Sequence, residues 1–210
     1  MARATQSFRR KAPSFQPQPR VLILCEDTKS SLFYLQDAAR HFRSYAEVEI
    51  ANIGKTDPLS IVEEAIKKQR VFESIYCVID RDQHEGFDAA LALAHGHTQK
   101  ITVIASYTCY EFWLLLHFCK KTKPYISAGN KSSGELLLKD LRAYDEMREY
   151  AKGNDTADIF DKLLLRLPDA RKRSAQVMAE MVQINSLNPS TRLHDLIELL
   201  EKLGQPQLLT

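Results

Sequence analysis

The chain has 210 residues, 44% of them hydrophobic, and its 29 basic and 27 acidic residues leave a formal net charge of +2. These values are typical of one medium globular domain, with or without a modest helical addition, and they exclude collagen-like and disordered proteins. No apolar run approaches the roughly 18 residues that span a bilayer, and no secretory signal is evident, so we expect a cytoplasmic protein without a membrane partner.

The first 19 residues carry several basic residues, three prolines and no acidic residue. This composition predicts a flexible basic arm over residues 1–19. Arg9, Arg10 and Lys11 are its candidates for neutralising nucleic-acid phosphates, because clustered positive charge attracts a polyanion. A solvated tail explains the same residues equally well.

After the arm, short apolar runs alternate with segments of helical periodicity. The predicted strands are 21–25, 48–53, 75–79 and 101–106, and the predicted helices between them are 29–44, 58–72 and 87–95. Repeated strand and helix alternation implies parallel β-α-β units covered by helices on both faces. We therefore predict an α/β fold with a four-stranded, mainly parallel sheet, in a core spanning residues 20–125.

Beyond residue 106 the pattern becomes helical. The predicted helices are 110–118, 135–152, 159–167, 169–181 and 190–203. We expect residues 126–210 to form an all-helical C-terminal extension that packs on the core.

Acidic residues follow two of the predicted strands. Asp80 and Asp82 end the strand at 75–79, and Glu26 follows the first strand, with Asp27 beside it. The carboxyl ends of parallel strands collect ligands, and carboxylate oxygens are the ligands that Mg²⁺ and Mn²⁺ prefer. We therefore predict a divalent-metal site built by Glu26, Asp80 and Asp82. A turn or helix-capping role is the alternative for each of these acids.

Further candidate residues flank these acids. Glu111 stands inside the apolar segment 110–118, where a carboxylate needs a basic partner or a place at the metal site. His117, in the same segment, is better explained as a satisfied core histidine than as a catalytic group. Near the acids or after the apolar segment, the candidates for contacting nucleic acid are Arg81, His84, Lys120 and Lys121.

Four stretches of the chain together resemble the RloB family. They are VLILCEDTKSSLFYL, CVIDRDQH, SYTCYEFWLLLHF and NPSTRLHDL, and they agree with the family in order and spacing as well as in residues. The resemblance implies a Toprim-type core and a role in bacterial abortive infection and phage defence. It also implies an ATPase partner of the ABC or AAA kind.

By the same resemblance, Glu26 matches the Toprim glutamate, and Asp80 with Asp82 matches the DxD motif. These residues would then hold Mg²⁺ or Mn²⁺ for hydrolysis of RNA or DNA, with Glu111 as a further catalytic candidate. The chain departs from the family pattern at Asp27 and Ser31, where Gly and Glu are expected. This departure leaves open the number of metal ions and the catalytic competence of the chain.

Two functions other than a nuclease remain open. One is a non-catalytic subunit whose acidic edge binds metal or a partner and signals within an ATPase complex. The other is a phosphoacceptor receiver domain that uses Glu26, Asp27, Asp80 and Lys123, although Lys123 follows a predicted helix rather than a strand.

Overall fold

The computed structural model describes residues 19–44, 48–81, 85–97, 100–153 and 158–205. The predictions made for the basic arm, including Arg9, Arg10 and Lys11, fall outside these residues, except for its last position. Asp82 and His84 also lie outside the described residues. Their proposed roles therefore stay predictions.

A five-stranded sheet forms the centre of the fold, with the strand order β2-β1-β3-β4-β5. The strands are β1 (Val21–Cys25), β2 (Val48–Ala51), β3 (Ser74–Asp80), β4 (Ile101–Tyr107) and β5 (Ser190–Thr191). Strands β1 to β4 are parallel, and β5 runs antiparallel to β4. The predicted α/β class is thus confirmed.

The predicted sheet was wrong in one respect, because the sheet is mixed and has a fifth strand from the C-terminal part. That part is therefore not all-helical. Ser190 and Thr191 were expected at the start of a helix, but both are buried and pair with the end of β4. The Thr191 hydroxyl hydrogen-bonds the Ser106 hydroxyl at 3.0 Å. A two-residue strand is too short to show an alternating pattern in sequence.

Helices cover both faces of the sheet, because the strands are apolar on both sides. On one face, α2 (Pro58–Lys68) and α3 (Phe87–His97) share an apolar cluster with Leu22 and Leu24 of β1. On the other face, α1 (Ser30–His41) packs against the alternate residues of β1. Asp57 caps the start of α2, since its carboxylate accepts a hydrogen bond from the Ser60 amide at 2.8 Å.

The remaining helices join the face that carries α1 and share its apolar cluster. They are α4 (Glu111–Leu116), α5 (Ser133–Leu141), α6 (Ile159–Leu163), α7 (Leu167–Gln183) and α8 (Leu193–Leu203), with single 3-10 turns at Asp145–Met147 and Leu164–Arg166. The C-terminal helices therefore continue the core that begins at β1.

The predicted helix over 135–152 was wrong beyond Leu141. After that residue the chain turns so that Met147 and Tyr150 are buried against the core. Arg142 fixes the turn by donating from Nε to the Tyr150 carbonyl at 2.8 Å. Burial of these two side chains overrides the local helical preference. Across the described ranges, no helix is both long and apolar enough to cross a membrane.

A carboxylate pocket at the carboxyl end of the sheet

Glu26 and Asp80 meet at the carboxyl edge of the sheet, as the sequence predicts. Strands β1 and β3 are parallel neighbours, with Cys25 opposite Val78, so Glu26 directly follows one strand while Asp80 ends the other. The Glu26 carboxylate accepts a hydrogen bond from the Asp80 amide at 2.8 Å. The first carboxylate is thereby fixed against the backbone of the second.

Glu111 brings a third carboxylate to the same place. It is the first residue of α4 and is 0% exposed. Its Oε1 accepts a hydrogen bond from the Tyr150 hydroxyl at 3.1 Å, and its Oε2 lies 3.9 Å from Nζ of Lys152. Oε2 is buried and has no hydrogen-bond partner in the described part of the chain. A buried oxygen without a hydrogen bond is costly, and this atom marks a place where a ligand would be stabilised.

These groups line a cavity of about 180 Å³. Its lining residues are Glu26, Asp27, Ser30, Thr56, Asp80, Tyr110, Glu111 and Lys152. At about 30 Å³ per water molecule, the volume can hold a metal ion with several waters, or a phosphate group. We call this cavity the carboxylate pocket.

The charge of Asp80 is disfavoured in this pocket. Enclosure of its carboxyl raises the pKa well above the ordinary value of an aspartate, and the negative charges of Glu111 and Glu26 raise it further. The positive charge of Lys152 and a hydrogen bond from the Tyr110 amide oppose these effects. Asp80 therefore binds a proton more readily than an exposed aspartate, unless another cation enters the pocket.

Asp27 lines the same pocket, but its carboxylate is already occupied. One oxygen accepts hydrogen bonds from the Lys29 and Ser31 amides at 2.9 and 3.0 Å, and the other accepts from the Ser31 amide and hydroxyl. Asp27 thus caps the start of α1, as the alternative assignment predicted. Asp27 and Ser31, the two positions that depart from the family pattern, therefore contact each other. These hydrogen bonds leave Asp27 not free to act as an additional metal ligand.

The donor set suits a hard divalent cation, because Glu26, Asp80 and Glu111 offer carboxylate oxygens. Their present arrangement is not that of an assembled site: the described residues contain no group of three or more His, Cys, Asp or Glu placed to hold a metal ion. Asp82 is outside the described residues. Lys152 pairs with Glu111 at 3.9 Å, and its positive charge also acts on Asp80.

The basic candidates described by the structure lie away from the carboxylate pocket. Arg81 points to the α3 side, where it contacts Asp88 at 3.2 Å and lies over the Phe87 ring. Lys120 forms an ion pair with Glu180, and Lys121 forms one with Asp140. Any contact of these three side chains with nucleic acid would therefore begin from existing ion pairs.

Lys123, which the receiver-domain alternative requires beside Asp80, also lies elsewhere. It lines a separate cavity of about 490 Å³ that includes Tyr125 and Lys139. The pocket around Asp80 contains a different lysine, Lys152. The geometry of a phosphoacceptor site with Lys123 is thus not formed.

His117 is a core histidine, as its sequence context favoured. It is 1% exposed, with Nδ1 placed 3.0 Å from the Trp113 carbonyl and Nε2 placed 3.3 Å from the Tyr34 hydroxyl. In the matching tautomer, Nδ1–H donates to the carbonyl, and Nε2 accepts from Tyr34. Burial lowers the pKa of His117 to about 4, so the ring is neutral near pH 7.

Sequence reasoning missed Lys152 and Tyr110 as pocket residues, and it missed Tyr150 as the hydrogen-bond partner of Glu111. Tyr110 lines the pocket with a buried hydroxyl that has no hydrogen-bond partner among the described residues. Their local pattern placed Tyr150 and Lys152 at the end of a long predicted helix over 135–152. Only the tertiary turn after α5 carries them to Glu111, so no local signal could have indicated it.

Comparison with known proteins identifies the family. A family model described as RloB-like protein matches residues 21–200, which is most of the chain. The chain therefore belongs to the RloB-like family. No curated protein matches it, and no solved structure does.

Proposed function

We propose that this RloB-like protein is a metal-dependent nuclease with a Toprim-like catalytic core, acting in phage defence together with an ABC or AAA ATPase. The observation that supports this most is the buried, unpartnered Oε2 of Glu111, which faces a pocket shared with Glu26 and Asp80. Three carboxylates around one small cavity suit Mg²⁺ or Mn²⁺, and such ions serve phosphoryl chemistry.

In this proposal Glu26, Asp80 and Glu111 hold the metal, with Asp82 as a further ligand from the adjoining segment. A bound divalent ion would polarise a phosphodiester and lower the pKa of the attacking water. The protein's own contribution is to hold the carboxylate ligands in position. The Asp80 amide fixes Glu26, and the Tyr150 hydroxyl fixes Glu111, so the carboxylates keep their positions as substrate binds.

Partial enclosure of the pocket also suits this chemistry. Burial disfavours the charged form of Asp80, so a divalent ion gains more from this carboxylate than it would from an exposed carboxylate in water. The negative charges of Glu111 and Glu26 disfavour ionised Asp80 further, and a divalent ion would offset this effect. We therefore expect metal binding to stabilise the fold and to be coupled to release of protons.

One observation favours a second function, a non-catalytic signalling subunit. Lys152 places positive charge among the carboxylates, which lets the pocket exist without metal. In such a subunit the pocket would bind a basic group of the ATPase or a metal that switches the complex. The two functions differ in whether any nucleic acid is cut.

A cleavage assay separates the two proposals. Labelled tRNA, single-stranded RNA and plasmid DNA are incubated with Mn²⁺ and the protein, with and without the ATPase partner. We expect cleavage by the parent and by Asp145→Asn, a control at an exposed carboxylate outside the pocket. We expect none from Glu26→Ala or Asp80→Ala. Cleavage by Glu26→Ala at the parent rate, or no cleavage by the full complex, would exclude the nuclease.

A further inference from the structure

Among the described residues that line the carboxylate pocket, one is basic. Of its described lining residues, Glu26, Asp27, Asp80 and Glu111 are acidic, and Lys152 alone is basic. The Lys152 ammonium lies 3.9 Å from the Glu111 carboxylate, and its charge also favours the ionised form of Asp80. One side chain thus acts on two of the three proposed metal ligands.

The backbone around Lys152 is fixed to the pocket, but its side chain is not enclosed. Tyr150, two residues earlier, is buried and donates its hydroxyl to Glu111. The Lys152 side chain is 45% exposed, and 3.9 Å is too long for a hydrogen bond to Glu111. Because nearly half of this side chain is exposed, rotation of its flexible stem can move the ammonium while the backbone stays in place.

Electrostatics makes Lys152 and a divalent ion competitors. A metal bound by Glu26, Asp80 and Glu111 would stand within a few ångströms of the ammonium, where two positive groups repel strongly in a partly buried site. Entry of the metal therefore requires the ammonium to leave Glu111. The displaced ammonium would stay tethered beside the pocket by its own backbone, within reach of a phosphate bound to the metal.

We propose that Lys152 is the resident counter-cation of the carboxylate pocket, that a divalent metal displaces it, and that the displaced ammonium then binds the substrate phosphate. This inference rests on the proposed nuclease function and adds a phosphate-binding residue and a competition step to it. It explains how three neighbouring carboxylates persist in a folded chain before metal arrives, since the lysine neutralises part of their charge.

The competition is tested by calorimetric titration of Mn²⁺ into the parent, Lys152→Gln, Lys152→Met and Lys152→Arg. The two neutral variants should bind Mn²⁺ at least about tenfold more tightly than the parent, because the repelling charge is gone. Lys152→Arg keeps the charge and should stay within about threefold of the parent. Lys162→Gln, which removes an exposed lysine on α6, should bind like the parent.

The phosphate role is tested by cleavage with the same variants in the complex with the ATPase. Lys152→Gln should cut at least about tenfold more slowly at saturating Mn²⁺, although it binds the metal more tightly. Lys152→Arg should recover part of the lost rate. A merely structural lysine would not produce opposite changes in metal affinity and cleavage.

The outcomes distinguish this inference from the function on which it rests. If the parent binds no Mn²⁺, both the proposed metal site and the inference about Lys152 are overturned. If the parent binds Mn²⁺ and cuts nucleic acid while both neutral variants bind no tighter, the inference alone is overturned. Thermal unfolding of each variant shows whether it is folded, and the charge-retaining Lys152→Arg supplies a comparison if either neutral variant unfolds.

Discussion

The buried His117 should make the stability of the fold fall as the solution becomes acidic. Its ring is neutral in the folded protein, where burial lowers its pKa to about 4, with Arg173 and Arg166 adding to that effect. The unfolded chain has the ordinary histidine pKa of 6.5. Between these values the unfolded state binds more protons, so stability falls as pH decreases through this window.

The size of the effect follows from the two pKa values. Linkage predicts a loss of about 2 kcal/mol in unfolding free energy between pH 7 and pH 5, and about 3 kcal/mol by pH 4, from this histidine alone. The measurement is urea unfolding at several pH values in the absence of divalent ions, for the parent and His117→Gln. Glutamine does not titrate, and its side-chain oxygen can accept from the Tyr34 hydroxyl.

The difference between parent and variant isolates His117 from other titrating groups. His117→Gln should start less stable at pH 7, because packing and the bond to the Trp113 carbonyl are lost, and should then lose less stability on acidification. His95→Gln, at an exposed position of α3, should follow the parent at every pH. Equal pH dependence of the parent and His117→Gln would refute a neutral, buried His117.

Two further predictions concern the pocket and a helix start. Asp80→Asn should be more stable than the parent at pH 7 without metal, because the enclosed carboxylate next to Glu111 no longer has to ionise. This gain in unfolding free energy should shrink as the pH falls towards 3.8. A variant that urea unfolds more easily than the parent at pH 7 would contradict the prediction. Ser132→Ala should cost about 1 kcal/mol in thermal or urea unfolding, since Ser132 and Glu135 satisfy each other's amides at the start of α5. Ser133→Ala, one residue on, is its control and should cost clearly less.

Much of the fold is predictable because its strands are continuous apolar runs bounded by polar residues. The placement of Glu26 beside Asp80 follows from the same logic, since both end neighbouring parallel strands. The two-residue β5 is not predictable, because it forms only where Ser190 and Thr191 meet the end of β4. Local patterns carry no information on such a contact.

The candidate site was predictable only in the part that comes from strand ends. Glu111 was indicated because a carboxylate in an apolar helix needs a partner. Its partner Lys152 was not indicated, because the sequence predicted only that Lys152 ends a helix over 135–152. The turn that brings it to Glu111 depends on burial of Met147 and Tyr150, which is a tertiary effect.

The most direct test of the carboxylate pocket is a crystal structure of the protein soaked in Mn²⁺, with anomalous scattering used to locate the ion. The account predicts one anomalous peak between the carboxylates of Glu26, Asp80 and Glu111, with the Lys152 ammonium moved away from Glu111. A pocket without a peak at saturating Mn²⁺, with Lys152 still beside Glu111, would contradict it.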